Sequence, residues 1–445
     1  PDTFETDHCY DSSAPPAQGT DFVCPPPPAR PIRGLARETV TRRMTVPEAT
    51  ATPRRVNWLN VAFLVGTALI AAVGTPWYLV TRGLGWPEAI TFVGLWLVVG
   101  VSVTGGYHRL FAHKTYRAAW PVRLFYVVFG AAALENSVLN WTADHRVHHS
   151  EVDHDRDPYN IQKGFWWAHM GWIFFENETP PVTVVRDLLE DPLVRWQARW
   201  YAPIGIGVAF GIPLIVGLAT GRVLGCLLIG GVLRVVVSHH GTFFINSLCH
   251  MVGRQPYSRE HSARDSSVMA VLAFGEGYHN YHHSFPFDYR NGIKRWHFDP
   301  AKWTIYGLSI VGLAGDLRRA SDAVILKARI DVQFERAKER LERLQKNRRV
   351  LAEARESVEL RLHETYARLQ AALREVVAAQ RQRRPAVSKP VLEVKASLSQ
   401  AVTPAAAETP EGRLGTIQHA LEQALWDWKQ ALRQMKRLPA AAVAA

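Results

Sequence analysis

The chain has 445 residues, 47% apolar and 21% charged, with a formal net charge of +12. The length suits one large domain with appendages, and the charged fraction lies below the ~25% usual for soluble domains. The basic excess comes with no nucleic-acid-binding motif, and cysteines at 9, 24, 226 and 249, none in a C-x-x-C pair, argue against a disulfide framework.

Residues 1–55 form a Pro-rich and then basic tail, with prolines at 25–28 and no apolar run that a signal peptide needs. Disorder is expected there. Residues 56–320 read as a membrane domain. Two apolar blocks, about 56–107 and 202–247, each exceed twice the ~20 residues that one helix needs to cross a bilayer. The first divides around Arg82, Gly83, Gly85 and Pro87 into crossings over 58–80 and 89–107. The second divides at Thr220, Gly221 and Arg222 into crossings over 203–219 and 224–245. Turns this short make each pair an antiparallel hairpin that returns to its starting side.

Basic residues mark that side as cytoplasmic. Arg54 and Arg55 close a basic stretch before the first block, Arg109, Lys114, Arg117 and Arg123 follow it, and Arg254, Arg259 and Arg264 follow the second. Residues 164–175, with Trp166, Trp167 and Trp172, suit an interfacial helix. Residues 321–384 contain neither Pro nor Gly, and Ile330, Ala337, Leu344, Leu351 and Val358 recur every seven residues. A long heptad-patterned helix is expected, either in a coiled coil or lying against the catalytic domain or the membrane. Residues 385–412 read as a linker and 413–438 as an amphipathic helix.

The 18 histidines are grouped. His108 and His113 form HRLFAH after the second crossing; His145, His148 and His149 form DHRVHH; His279, His282 and His283 form YHNYHH; His250 follows the fourth crossing. Helix positions i, i+3 and i+4 share a face, so each HxxHH box is expected to aim three imidazoles at one spot. Both hairpins return to the basic side, where all the boxes can meet. One zinc takes about four ligands, so nine imidazoles point to two metals, with iron preferred for oxygen chemistry. Histidine ligands need outer acceptors, and Asp144, Asp153, Asp155, Asp157 and Glu276 are candidates. A lone histidine is more often structural than a ligand. His239 and His240 are expected to hydrogen-bond within the bundle, and His154, His169, His261 and His297 to be structural or surface residues.

Around these boxes the sequence resembles the membrane fatty acyl desaturase family, of the delta-9 acyl-CoA (stearoyl-CoA) type, over about 55–318. The segments that carry the resemblance are GGYHRLFAHKTY, LENSVLNWTADHRVHH with DRDPYN, NSLCHMVG, GEGYHNYHHSFPFDYRNG and FDPAKW. Pattern and resemblance together give an all-α integral membrane protein. Four transmembrane helices in two hairpins carry a cytoplasmic histidine-rich diiron domain, and a long helical C-terminal extension follows.

The resemblance implies two iron ions (Fe2+/Fe3+) held by His108, His113, His145, His148, His149, His250, His279, His282 and His283, with Asn246 acting through water. It implies that Asn136 and Trp141 hold the acyl chain near its thioester or bend, and that Phe243 belongs to the wall around the kinked chain. The implied reaction is oxygen-dependent insertion of a cis double bond, delta-9 by resemblance, into a long-chain acyl-CoA or acyl-lipid. Implied partners are O2, the bilayer and a separate electron donor such as ferredoxin or a cytochrome b5-like protein with its reductase, since the chain shows no C-terminal b5-like haem motif. No nucleic acid is implied. The expected location is multi-pass in a bacterial inner membrane, with the active site and both termini cytoplasmic. The chain departs from CoA-binding members at Glu176, Asn177 and Ala143, where those members carry basic residues. The alternatives are a membrane diiron hydroxylase and a zinc-stabilised non-catalytic scaffold.

Overall fold

The computed structural model describes residues 55–176, 182–346, 352–382 and 410–441. The N-terminal tail up to residue 54 and the expected linker lie outside them, apart from the linker's last residues, which open the final helix. Among the described residues four helices are long and apolar enough to cross a membrane: α1 (Trp58–Arg82), α2 (Trp86–Ala112), and two further spans, Tyr201–Thr220 and Val223–Met251. Each pair is a tight hairpin, as expected from the turn residues. Gly83 takes φ 67° and Gly221 φ 71°, a left-handed backbone that side chains with a Cβ resist. One ion pair locks the two turns together. Glu88, fully buried, accepts from Tyr78 Oη (2.7 Å) and from Arg222 Nε (2.5 Å).

Among the described residues five shorter α-helices lie between the hairpins: α3 (Trp120–Ala131), α4 (Val138–Glu151) and α5 (Phe165–His169), followed by two brief ones over Arg186–Leu189 and Pro192–Arg199. The second hairpin is then α6 (Tyr201–Thr220) and α7 (Val223–Met251). Two α7 side chains cap the end of α3: Arg234 Nη1 donates to Ala132 O and His239 Nε2 to Ala133 O, both at 2.8 Å. Donors at a helix C-terminus satisfy carbonyls that have no partner within the helix. The loop after this cap, with Leu134 and Asn136 at positive φ, becomes a wall of the site. The expected interfacial helix is two short pieces, since α5 ends at His169 and a 3-10 turn covers Gly171–Phe174.

Beyond α7 come α8 (Ser267–Leu272), α9 (His279–Ser284) and α10 (Pro300–Ile310). Strands β1 (Arg117–Ala118) and β2 (Ala314–Gly315) pair antiparallel and, with three isolated β-bridges, are the departures from an all-helical fold among the described residues. Gly277 in the GEGYHNYHH segment has a steric reason. A Cβ there would lie 2.1 Å from the backbone nitrogen of Ala270, so only glycine lets α8 pass this close to the start of α9.

The expected single heptad helix is instead two helices, α11 (Asp322–Lys346) and α12 (Ala352–Gln382). They run antiparallel, with Asp331 Oδ1 accepting from Tyr366 Oη (3.0 Å) and Gln370 Nε2 (2.5 Å), and Phe334 stacked on Tyr366. A third helix, α13 (Pro410–Ala441), joins them. The seven-residue stripe therefore packs within a three-helix bundle: Ile330, Phe334, Ala337, Val358, Leu362 and Trp428 share one apolar core. The coiled-coil reading is replaced by intrachain packing, because folding the stripe back on itself buries it without a second chain.

Candidate metal centre and acyl cavity

Local geometry brings the histidines together. The end of α2 widens to a π-helix over Ser102–Ala112, fully buried, and His113 N bonds to His108 O (3.1 Å). A five-residue hydrogen-bonded turn is the π repeat, so the HxxxxH spacing places both rings side by side, 4.9 Å apart. His145, His148 and His149 come from α4, His279, His282 and His283 from α9, and His250 from the end of α7.

The nine histidines form two adjoining groups. His108, His113, His145, His149 and His282 make the first; His148, His250, His279 and His283 make the second; within each group the candidate ligand atoms lie within 4.8 Å of one another. The expectation that each HxxHH box aims three rings at one spot is corrected. The i and i+4 rings of a box serve one group and the i+3 ring the other, because around a helix of 3.6 residues per turn i and i+4 point only about 40° apart, whereas i+3 and i+4 point about 100° apart. The α4 box gives His145 and His149 to the five-histidine group and His148 to the other, and the α9 box does the reverse.

The donor set fits metal ions. Two of the ring nitrogens facing outward meet carboxylates: His108 Nδ1 lies 3.0 Å from Glu276 Oε2, and His148 Nδ1 lies 2.9 Å from Asp157 Oδ1. A neutral imidazole that donates through Nδ1 carries a bare lone pair on Nε2. Inside the centre, Nε2 atoms approach each other in six pairs at 2.8–3.3 Å. Lone pairs cannot bond to each other, whereas cations between them satisfy every one. Burial, with the neighbouring rings, pushes His113, His145, His149, His279, His282 and His283 well below the ordinary histidine value, which keeps them neutral and ready to ligate.

Of the five acids proposed as outer acceptors, Glu276 and Asp157 contact histidines directly, Asp153 does so through Ser262, Asp144 lines the cavity, and Asp155 is exposed. Burial works to raise the Glu276 carboxyl, yet His108 and Arg109 carry it down to about 2. Arg109 corrects another expectation. It does not face the leaflet but lies buried, bonded to Glu276 Oε1 (3.0 Å), Asp299 Oδ1 (2.9 Å) and Tyr289 O (2.9 Å). Lys114 and Arg123 likewise pair with Asp187 and Asp191.

A cavity of about 600 Å³ opens beside both groups, touching His108, His145, His148 and His279. Asn246, Asn136, Trp141 and Phe243 line it too. Trp141 stacks on His145 (4.9 Å between centroids, 22° between planes), and the two rings line the cavity together. Asn136 Oδ1 accepts from Ser137 N (3.0 Å) and Asn140 Nδ2 (3.1 Å), which leaves its own amide N–H groups as the donors. The sequence reading missed one carboxyl in the lining, Glu135, and named Asp144 only as an outer acceptor; each is pushed up by burial to about 7. Glu135 lies in the loop before α4, outside the histidine boxes, so no pattern in the sequence marked it. Glu176, exposed, sits among the lining residues with Asn57 and Asn60; Asn177 lies outside the described residues. His169 and His240 bond to each other (3.0 Å) away from both groups, as structural residues do.

The sequence profile described as "Fatty acid desaturase" matches residues 84–308. "Acyl-CoA desaturase 1" of Saccharomyces cerevisiae is 41% identical over 284 residues, 62% of this chain and 54% of the yeast protein. "Probable acyl-CoA desaturase" of Schizosaccharomyces pombe is 41% identical over 277 residues, 62% of this chain and 57% of that protein. "Stearoyl-CoA desaturase 5" of Bos taurus is 35% identical over 280 residues, 60% of this chain and 81% of the bovine protein. The matched region spans little more than half the length of the two yeast proteins.

Proposed function

The chain belongs to the fatty acid desaturase family, and on that premise we propose that it is an oxygen-dependent acyl desaturase of the delta-9 type, working on a long acyl chain carried by CoA or by a membrane lipid. The observation that carries this reading is the pair of histidine groups sharing two boxes at the wall of one cavity. In this reading all nine histidines are iron ligands, with Asn246 contributing through water. Bound there, the two irons supply the oxygen chemistry that removes two hydrogens from adjacent methylenes, with electrons from a separate donor protein.

The protein's part is positioning. Asn136 offers its amide N–H to the carbonyl that joins acyl chain to carrier. Trp141 and Phe243 shape the apolar wall, so the depth to which the chain enters decides which methylenes face His108 and His145. The lining residues Glu176, Asn57 and Asn60 are not cationic, so both acyl-CoA and acyl-lipid pools belong in the assay. In this reading the centre lies on the cytoplasmic side, which the basic residues flanking the hairpins support. The relatives compared above are eukaryotic and add nothing to the bacterial inner-membrane assignment, which rests on the sequence reading alone.

The test is expression in a membrane host, followed by mass spectrometry of both acyl pools. Desaturation lowers the acyl mass by two hydrogens. A gain of one oxygen would mean hydroxylation, and no change in either pool, with electrons supplied, would overturn the proposal.

A further inference from the structure

His250 is the histidine outside the three boxes, and its outward nitrogen meets a hydroxyl where His108 and His148 meet carboxylates. Ser262 Oγ lies 2.6 Å from His250 Nδ1, and it donates to Asp153 Oδ1 at 2.5 Å. Ser262 N donates to the other oxygen, Asp153 Oδ2, at 2.6 Å. The single hydroxyl proton is thus committed to Asp153, and only lone pairs remain toward His250. His250 must therefore donate through Nδ1, which leaves its Nε2 bare and directed into the four-histidine group, 3.0 Å from His279 Nε2.

The loop that delivers Ser262 is held from three sides. Asp153 sits just past the end of α4 at φ 65°, a left-handed turn that aims its carboxylate back at the loop. Asn280, fully buried in the α9 box, accepts from Tyr257 N (2.9 Å) and Ser258 N (3.3 Å) and donates to Ser258 O (2.8 Å) and Ala263 O (3.0 Å). From the tail bundle, Arg336 Nη2 donates to Gln255 O (2.8 Å), and Gln255 Nε2 donates to His261 O (2.6 Å). A hydroxyl placed to a few tenths of an ångström needs such a frame.

We propose that Asp153 and Ser262 form a carboxylate–hydroxyl relay that fixes the tautomer and orientation of His250, and so sets how firmly the four-histidine group holds its metal. Ser262 is a positioning residue, acting through His250. The inference rests on the two-iron reading above. Outer partners of metal-bound histidines typically alter metal affinity roughly 10–100-fold.

The experiment purifies the full chain as wild type, Ser262→Ala, Ser262→Thr and Asp153→Asn with isotopically enriched iron. It then follows iron retention against a chelator, Mössbauer spectra and unfolding temperature. The relay predicts that Ser262→Ala weakens one of the two irons by roughly 10–100-fold while the other is unchanged, and that Ser262→Thr, which keeps the hydroxyl, restores it. Asp153→Asn is predicted to weaken the same iron. Wild-type chelator resistance and spectra in Ser262→Ala would overturn the relay, as would equal weakening of both irons without rescue by threonine. A wild-type chain that binds fewer than two irons would overturn the two-iron reading, and the relay with it.

Discussion

The histidine-bearing half of the chain and its tail bundle are both helical and both well buried, yet they hold together differently. In the first, polar groups fill the interior: Arg109, Glu276, Asp299, Asn280 and Asn291 are all at most 3% exposed, and each is bonded. In the tail, the interior is Ile330, Phe334, Leu341, Leu362, Leu373 and Trp428, with Asp331 as a polar tie at its edge. Apolar packing fixes a fold with latitude in detail. Buried polar networks cost desolvation unless every bond is made, so their presence indicates that positions, and not stability alone, are being fixed.

The sharpest way to break that contrast is Arg109→Ala. It strands two buried carboxylates, and losing one partner of a buried ion pair costs roughly 3–5 kcal/mol. The account expects a large fall in unfolding temperature together with loss of iron, since Glu276 no longer has the neighbour that fixes it against His108. Next in size is Trp428→Ala, which removes the largest fully buried side chain of the tail and costs roughly 3–5 kcal/mol of bundle stability. Here iron per folded chain should stay at the wild-type level. Loss of iron in this variant would show that the two regions are not separable as described.

A third prediction concerns acid and the metal-free protein. His113, His145, His149, His279, His282 and His283 lie below the ordinary value of 6.5 when folded, so below that pH the unfolded chain takes up more protons. Stability is therefore full above 6.5 and falls as pH drops below it; Glu276 adds to the loss between 4.5 and about 2. Glu135, Asp144 and Asp265, raised by burial to about 7, act in the opposite sense between their ordinary values of 4.5 or 3.8 and 7, three groups against these six histidines. Thermal unfolding of chelator-treated protein from pH 8 to pH 5 should show falling stability. A tail-bundle fragment is not needed, because its core holds no such cluster. The smallest effect is expected for Arg259→Ala. Its bond to Glu339 links the two regions at a largely exposed site, so the change should stay within about 1 kcal/mol, read by the same unfolding assay.

Much of this architecture is legible in the residues. The four spans follow from apolar length and turn glycines, and the histidine boxes from spacing alone. The distribution of each box between two groups is not legible, because a helical wheel shows a shared face but not two targets set side by side upon it. Arg109 looks like any basic residue flanking a membrane helix, and only the fold brings Glu276 and Asp299, 167 and 190 residues away, against it. Ser262 carries no sequence signal at all, since loop serines are common and its partner Asp153 lies 109 residues earlier. The tail stripe reads as a heptad repeat. Whether such a stripe meets another chain or its own continuation depends on where the helix breaks, and 321–384 holds neither of the usual breakers, Pro and Gly.

The most direct measurement is metal analysis of the purified full chain beside His148→Ala and His282→Ala. The account predicts two irons per wild-type chain and substantial loss of iron and activity in each variant, with His148→Ala affecting the four-histidine group and His282→Ala the five-histidine group. Zinc in place of iron, or full iron and activity in either variant, would contradict it.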